Sequence, residues 1–224
     1  MHEALRSGRR LRELLVEKLD GNEELLELAR VQKVPVRRVT REELDDAAQG
    51  VLHQGVVALS PPFHYVDLHQ AAQGDLVVVL DGVTDPQNLG AIARSALAAG
   101  ARGLVLPNRR SATVTAAAEK AAAGAFSWLP VAQVPNVVRA LQDLAGRGFW
   151  SVGLAGGAER SLWESTLLDG KVALVIGAEG TGLSRLVLER VDEHVRIPMN
   201  DHAESLNASA AAAVALFEWA RRRP

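Results

Sequence analysis

The side chains of this sequence best suited to chemistry stand in three polar loops, each directly after an apolar run. The first loop, Asp81-Gly82-Val83-Thr84-Asp85-Pro86-Gln87-Asn88-Leu89-Gly90, is rich in turn-formers. It leads into a helical segment that Asn88 is placed to cap. Arg94 follows six residues later in a small, apolar stretch. An arginine there either reaches solvent along its aliphatic stem or serves a site, and its planar fork suits phosphate oxygens. The second loop, Gly177-Ala178-Glu179-Gly180-Thr181-Gly182-Leu183-Ser184, follows the apolar run 172–176. Its glycines allow positive φ and close approach of a ligand to backbone, although a plain tight turn would use them too. The third loop runs from Ile197 to Ser209 and holds Ser205, Asn207 and Ser209, which favour a helix start over its interior. Capping accounts for any one of these residues, and three within five positions exceed what a cap requires.

Other chemistries are excluded by what the chain lacks. It contains no cysteine, which removes disulfides, thiol nucleophiles and thiolate metal sites together. Its six histidines form no H-E-x-x-H and no ligand-like spacing with carboxylates, so no metal is expected. There is no G-x-S-x-G, and the glycine spacing matches neither the dinucleotide fingerprint nor a phosphate-binding P-loop. The net charge of −2 counts mildly against a nucleic-acid partner. Arginine nevertheless outnumbers lysine and gathers as Arg6/Arg9/Arg10/Arg12, Arg37/Arg38/Arg41, Arg109/Arg110 and Arg221/Arg222/Arg223. Such clusters are commonly solvated faces paired with nearby glutamates, so composition leaves RNA binding open. No apolar run approaches the roughly 20 residues of a membrane span, and the first residues lack the pattern of a signal peptide. A cytoplasmic, membrane-free protein is expected.

The elements that must position these loops divide the chain in two. Residues 3–59 read as helix, strand, helix, strand, with Leu11, Leu14 and Leu15 at helix-like spacing and a short strand around Val34-Pro35-Val36. Thr40 and Glu43 form a capping-box pair, and His53-Gln54-Gly55 leads into the apolar run Val56-Val57-Ala58-Leu59. Ser60-Pro61-Pro62 breaks structure, and residues 61–74 read as a linker. Beyond it, strand-like runs at 76–80, 103–106, 149–154, 172–176 and 195–197 alternate with helical segments at 89–99, 115–123, 136–145, 184–191 and 205–222. Continuous apolar strands between helices predict an α/β fold with a parallel sheet covered on both faces. In such sheets ligands bind at the carboxyl ends of the strands, which is where the polar loops lie.

Taken together, D-P-Q-N-L-G-A-I-A-R-S-A, V-I-G-A-E-G-T-G-L-S, and I-P-M with S-L-N-A-S before a terminal helix resemble the three motifs of the SpoU (TrmH-like) RNA 2′-O-ribose methyltransferases. The likeness covers about residues 75 to 222. Arg110-Ser111 and Ala123-Gly124-Ala125 make the chain most similar to the subgroup acting on 23S rRNA guanosine. The resemblance implies a catalytic domain at 75–224 with a C-terminal trefoil knot (the SPOUT type) and a small L30e-like α/β RNA-binding domain at 1–60. It implies S-adenosylmethionine as cofactor, held by Leu154, Gly177, Ile197 and Leu206. It implies catalytic roles for Asn88, Arg94, Glu179, Ser205 and Asn207, an RNA substrate (rRNA above all), and a homodimer packed through the first-motif and final helices. The family's arginine is sometimes given the role of base. A guanidinium that titrates above about 12 makes that demanding, so binding of the adjacent phosphate and stabilisation of the emerging alkoxide are expected of Arg94 instead. Two departures stand out. The first domain begins one strand later than the family's, and Ala208 stands where valine is usual. The alternatives are a tRNA ribose methyltransferase or a resistance-conferring rRNA methyltransferase of the same fold, or a non-catalytic RNA-binding or assembly protein.

Overall fold

The computed structural model describes residues 1–200, 202, 203 and 205–223. The chain forms two compact units, Met1–His64 with Thr115–Ala117, and Tyr65–Val114 with the chain from Ala118 onward. Among the described residues no helix is long and apolar enough to cross a membrane.

The first unit runs α1 (His2–Arg6), β1 (Glu13–Val16), α2 (Glu23–Val31), β2 (Val36–Arg38), α3 (Arg41–Ala48), β3 (Val56–Leu59). Its three strands lie in the order β2-β1-β3, parallel then antiparallel. The spacing of Leu11, Leu14 and Leu15 pointed to a helix, but residues 13–16 are the central strand. Leu14, Leu15 and Val16 are buried on both faces of the sheet, where a short strand loses its alternation and periodicity cannot separate it from a helix. Leu14 packs with Leu5, Leu25 and Ala29 on one side, and Leu15 with Val39 and Leu44 on the other. The capping box expected at α3 is present. Thr40 Oγ1 accepts from Glu43 N, and the Glu43 carboxylate accepts from Thr40 N.

The second unit continues with α4 (Leu68–Ala71), β4 (Leu76–Asp81), α5 (Pro86–Ala98), β5 (Gly103–Pro107), α6 (Ala116–Ala122), whose last residues lie in it, and β6 (Val131–Val134). It then runs through α7 (Val137–Ala145), β7 (Trp150–Leu154), β8 (Val172–Gly177), α8 (Arg185–Leu188), β9 (Glu193–Val195) and α9 (Ala208–Arg221). Six strands form a wholly parallel sheet in the order β6-β5-β4-β8-β7-β9. The central strands β4 and β8 are buried along almost their whole length, as a sheet covered on both faces requires. Removing each such Val, Leu or Ile from water contributes roughly 1.5–3 kcal/mol.

Three features depart from the sequence expectation. Strand β6, flanked by Pro130 and Pro135, was missed. Residues 65–74, expected as linker, carry α4 and pack on the sheet. Val66 N donates to Val131 O at 2.9 Å, and a Cβ on Gly103 would lie 1.8 Å from Ala71 O. The strand expected at 195–197 ends at Val195, two residues before Ile197.

Helix α9 packs against α5 and is fastened at its far end. Glu218, 7% exposed, accepts from Arg221 and Arg222. Arg222 also donates to Asp169 and to the carbonyls of Trp163 and Ser165. The Arg221 guanidinium beside Glu218, with help from Arg222, holds that carboxyl below the usual carboxylate range.

Candidate active site

The carboxyl ends of β4, β7, β8 and β9 face the same edge of the sheet, and the polar loops gather there. The chain turns from β4 into α5 through Asp85, whose Oδ1 accepts from Gln87 N at 3.0 Å while Pro86 occupies the first helical position. Asn88 was expected to cap this helix. Asp85 takes that role, because an acid directly before proline fits the N-cap and first-turn geometry better. Asn88 sits one turn in, 7% exposed, with its amide turned into the protein.

That amide finds a partner from the second loop. Asn88 Nδ2 donates to Glu179 Oε2 at 3.2 Å, and Asn207 Nδ2 donates to the same oxygen at 3.2 Å. Asn207 is also the N-cap of α9. Its Oδ1 accepts from Ser209 N at 2.9 Å and from Ser209 Oγ at 2.6 Å. With its oxygen committed to Ser209, the Asn207 amide presents its nitrogen to the carboxylate. One glutamate thus joins residues 91 and 28 positions away along the chain.

The loop carrying Glu179 is held tightly. Ala178 and Gly182 exchange two backbone hydrogen bonds, each 2.9 Å. Gly180 and Gly182 have φ of +78° and +68°, backbone that a side chain disfavours. A Cβ on Gly177 would meet the Gly182 carbonyl carbon at 2.2 Å. The sequence suggested that these glycines let a ligand approach. The structure shows that Gly177 must first let its own loop fold back. Asp81, at the end of β4, accepts from Ser184 N at 2.6 Å and ties the first loop to the second. Asp81 is not among the residues expected at the site, although an acid at the carboxyl end of a central strand is a usable signal in sequence.

Beside this cluster lies a cavity of about 420 Å³. Leu154, Gly177, Ile197 and Leu206, the residues expected to hold a cofactor, all line it, as do Glu179 and Ser205. The sequence did not single out Gly156 and Gly157 after β7, Arg196 or Met199, which line it as well. Arg196 Nη1 is engaged by the carbonyls of Ala158 and Glu159, so it braces the wall. Arg94 stands apart. It is exposed on α5, and its side chain makes no hydrogen bond or ion pair among the described residues. The structure therefore brings Asn88, Glu179 and Asn207 together and puts Ser205 at the cavity, and it does not join Arg94 to them.

A parallel sheet with a cavity at its strand ends, framed by three loops of this wording, defines a SpoU-type methyltransferase. Residues 75–217 match the SpoU rRNA Methylase family, and residues 1–66 match the family RNA 2'-O ribose methyltransferase substrate binding. The chain belongs to the SpoU rRNA methylase family. Among its relatives, the 23S rRNA (guanosine-2'-O-)-methyltransferase RlmB of Xanthomonas campestris pv. campestris is 47% identical over 223 residues, covering 95% of this chain and 89% of that one. An uncharacterized tRNA/rRNA methyltransferase of Mycobacterium avium is 46% identical over 198 residues, covering 85% and 63%. Among solved structures, the SpoU methyltransferase AviRb from Streptomyces viridochromogenes in complex with AdoMet superposes with a TM-score of 0.81 at 28% identity, covering 98% of this chain and 85% of that one.

Proposed function

We propose that this protein methylates the ribose 2′-hydroxyl of a guanosine in 23S rRNA, with S-adenosylmethionine as donor. The observation that carries the reading is the convergence of Asn88 and Asn207 on one oxygen of Glu179 at the wall of the cavity. This frame joins all three motif loops and leaves Ser205 facing the same space.

The cavity suits that donor. Its volume lies within the roughly 300–1,000 Å³ of small-ligand sites. Leu154, Ile197 and Leu206 offer apolar walls for a purine, and the 154–157 and 177–182 loops offer backbone groups. Among the described residues the Glu179 carboxylate is the only acidic side chain on the lining, appropriate to a cationic ligand. S-adenosylmethionine, when bound, supplies an electrophilic methyl group on a sulfonium.

The remaining work falls to the chain's own residues. Arg94, exposed and without an acidic partner among the described residues, binds the phosphate next to the target ribose and stabilises the developing alkoxide. A guanidinium already bonded to a carboxylate would have little charge to offer. Ser205 orients the ribose. Asn88, Glu179 and Asn207 fix the loops against one another, so that alignment of the hydroxyl with the methyl supplies much of the rate.

The same reading assigns residues 1–60 to RNA binding and residues 75–224, with α4 packed on their sheet, to catalysis, with the knot formed by the last segment of the chain. It includes a homodimer through α5 and α9. Phe217, 52% exposed on α9, supports that pairing, and a dimer would be seen by sedimentation.

Arg94→Ala tests the reading. Calorimetry should find S-adenosylmethionine binding near that of the wild type, while methyl transfer to a 23S rRNA transcript is lost. Full activity of the variant would remove Arg94 from the mechanism.

A further inference from the structure

Four arginine clusters were visible in the sequence, and the structure separates them. Arg6 pairs with Glu3 and Glu24, Arg37 with Glu13, Arg41 with Glu17, and Arg221 and Arg222 with Glu218. These clusters are neutralised wholly or in part by their own acids. Arg109 and Arg110 are different. Both are exposed, and among the described residues neither meets a carboxylate or any other side-chain partner.

Their loop is nevertheless firmly set. Asn108 N donates to Val134 O at 2.9 Å, Ala112 N to Val83 O at 2.8 Å, and Val114 N to Tyr65 Oη at 2.9 Å. The Ser111 hydroxyl also lies on Val83 O, at 3.4 Å. Val83 belongs to the first motif loop, five residues before Asn88, so the arginines rise from the same carboxyl edge of the sheet as the active site. Arg110 holds φ at +54°, a left-handed conformation that costs a side chain energy relative to glycine. A fastened loop that keeps two bare guanidinium groups at its tip, one of them in strained backbone, has the charge and the rigidity to grip a phosphodiester strand.

We infer that Arg109 and Arg110 form a phosphate clamp for the RNA strand that flanks the target ribose, separate from the phosphate assigned to Arg94. The inference rests on the RNA substrate proposed above. The clamp reads backbone rather than bases, so its contribution is the same for any sequence and depends strongly on salt.

The test compares wild type, the double variant Arg109→Ala/Arg110→Gly, and Arg109→Lys/Arg110→Lys, using a protein-free 23S rRNA transcript as probe. Glycine at 110 removes the charge and accepts the left-handed backbone, so this change does not threaten the fold. Losing two phosphate contacts should make the slope of log affinity against log salt shallower by about 1.4 and weaken binding about tenfold at low salt. KM for the transcript should rise by a similar factor. S-adenosylmethionine affinity should match the wild type, and the melting temperature should not fall. The lysine pair should restore the salt slope. Salt slopes and affinities equal to those of the wild type would overturn the clamp. The slope is read from binding alone, so it stands apart from catalysis. A wild-type protein that bound the transcript without methylating it would overturn the proposed function while leaving the slope comparison to decide the clamp.

Discussion

Asn207 has two duties that a single substitution can separate. Its Oδ1 caps α9 through Ser209, and its Nδ2 donates to Glu179 at 3.2 Å. Asn207→Asp keeps the first duty, because aspartate caps as well as asparagine and its charge suits a helix N-terminus. It destroys the second and sets two carboxylates against each other. The lost hydrogen bond costs about 1 kcal/mol. Two unit charges about 4 Å apart repel by roughly 1–4 kcal/mol across the range from bulk water to a protein surface. Asn207 and Glu179 are both exposed, so the lower part of that range applies. The sum is about 2–3 kcal/mol against the aligned geometry, or roughly a 30- to 150-fold slower methyl transfer. Asn207→Ala removes both duties and should lower the stability by a further ~1 kcal/mol for the cap. Single-turnover transfer of labelled methyl to a 23S rRNA transcript gives the rate, and thermal melting gives the stability. Wild-type turnover by Asn207→Asp would refute the role of the Glu179 frame.

Gly177→Ala would put a Cβ 2.2 Å from the Gly182 carbonyl carbon; the second loop should shift, and S-adenosylmethionine affinity measured by calorimetry should fall more than tenfold. Gly90→Ala would place a Cβ 2.4 Å from Ala118 O and 2.6 Å from Ala121 Cβ, and overpacking of this kind should cost roughly 1–3 kcal/mol in denaturant titration. The Glu218 carboxyl titrates below its ordinary value of 4.5, chiefly because Arg221 donates to it. Its stabilising contribution is therefore present above that value and is lost as pH falls through the lower folded one. Glu218→Gln should be less stable at neutral pH and should show a flatter acid limb in melting temperature against pH.

The parallel sheet was legible because β4, β5 and β8 are apolar runs bounded by turn-formers, and because their burial on both faces leaves that signature in sequence. Strand β6 was not, since Val131–Val134 is short and bracketed by prolines that normally mark loops. β1 was misread for the opposite reason, as Leu11, Leu14 and Leu15 satisfied a helical spacing while Leu14 and Leu15 lie buried in the central strand of a sheet. The packing of residues 65–74 depends on Gly103 yielding space to Ala71, a contact between segments that no local pattern records. At the site, the motifs gave the residues and the structure gave their arrangement. Nothing in the spacing of Asn88, Glu179 and Asn207 shows that a single carboxylate oxygen receives both amides. The D-P pair at Asp85-Pro86 did carry the true cap, and the polar character of Asn88 obscured it. The arginine clusters were equivalent in sequence, and only the position of neighbouring acids in space distinguishes Arg109 and Arg110 from the rest.

The central claim is most directly tested by mapping 2′-O-methyl groups at nucleotide resolution, as protection from alkaline cleavage, on RNA from cells with and without this protein. One guanosine of 23S rRNA should carry a ribose methyl only when the wild-type protein is present, and Arg94→Ala should fail to restore it. An unchanged 23S rRNA pattern, with the protein-dependent methyl on tRNA or on no RNA, would contradict the account.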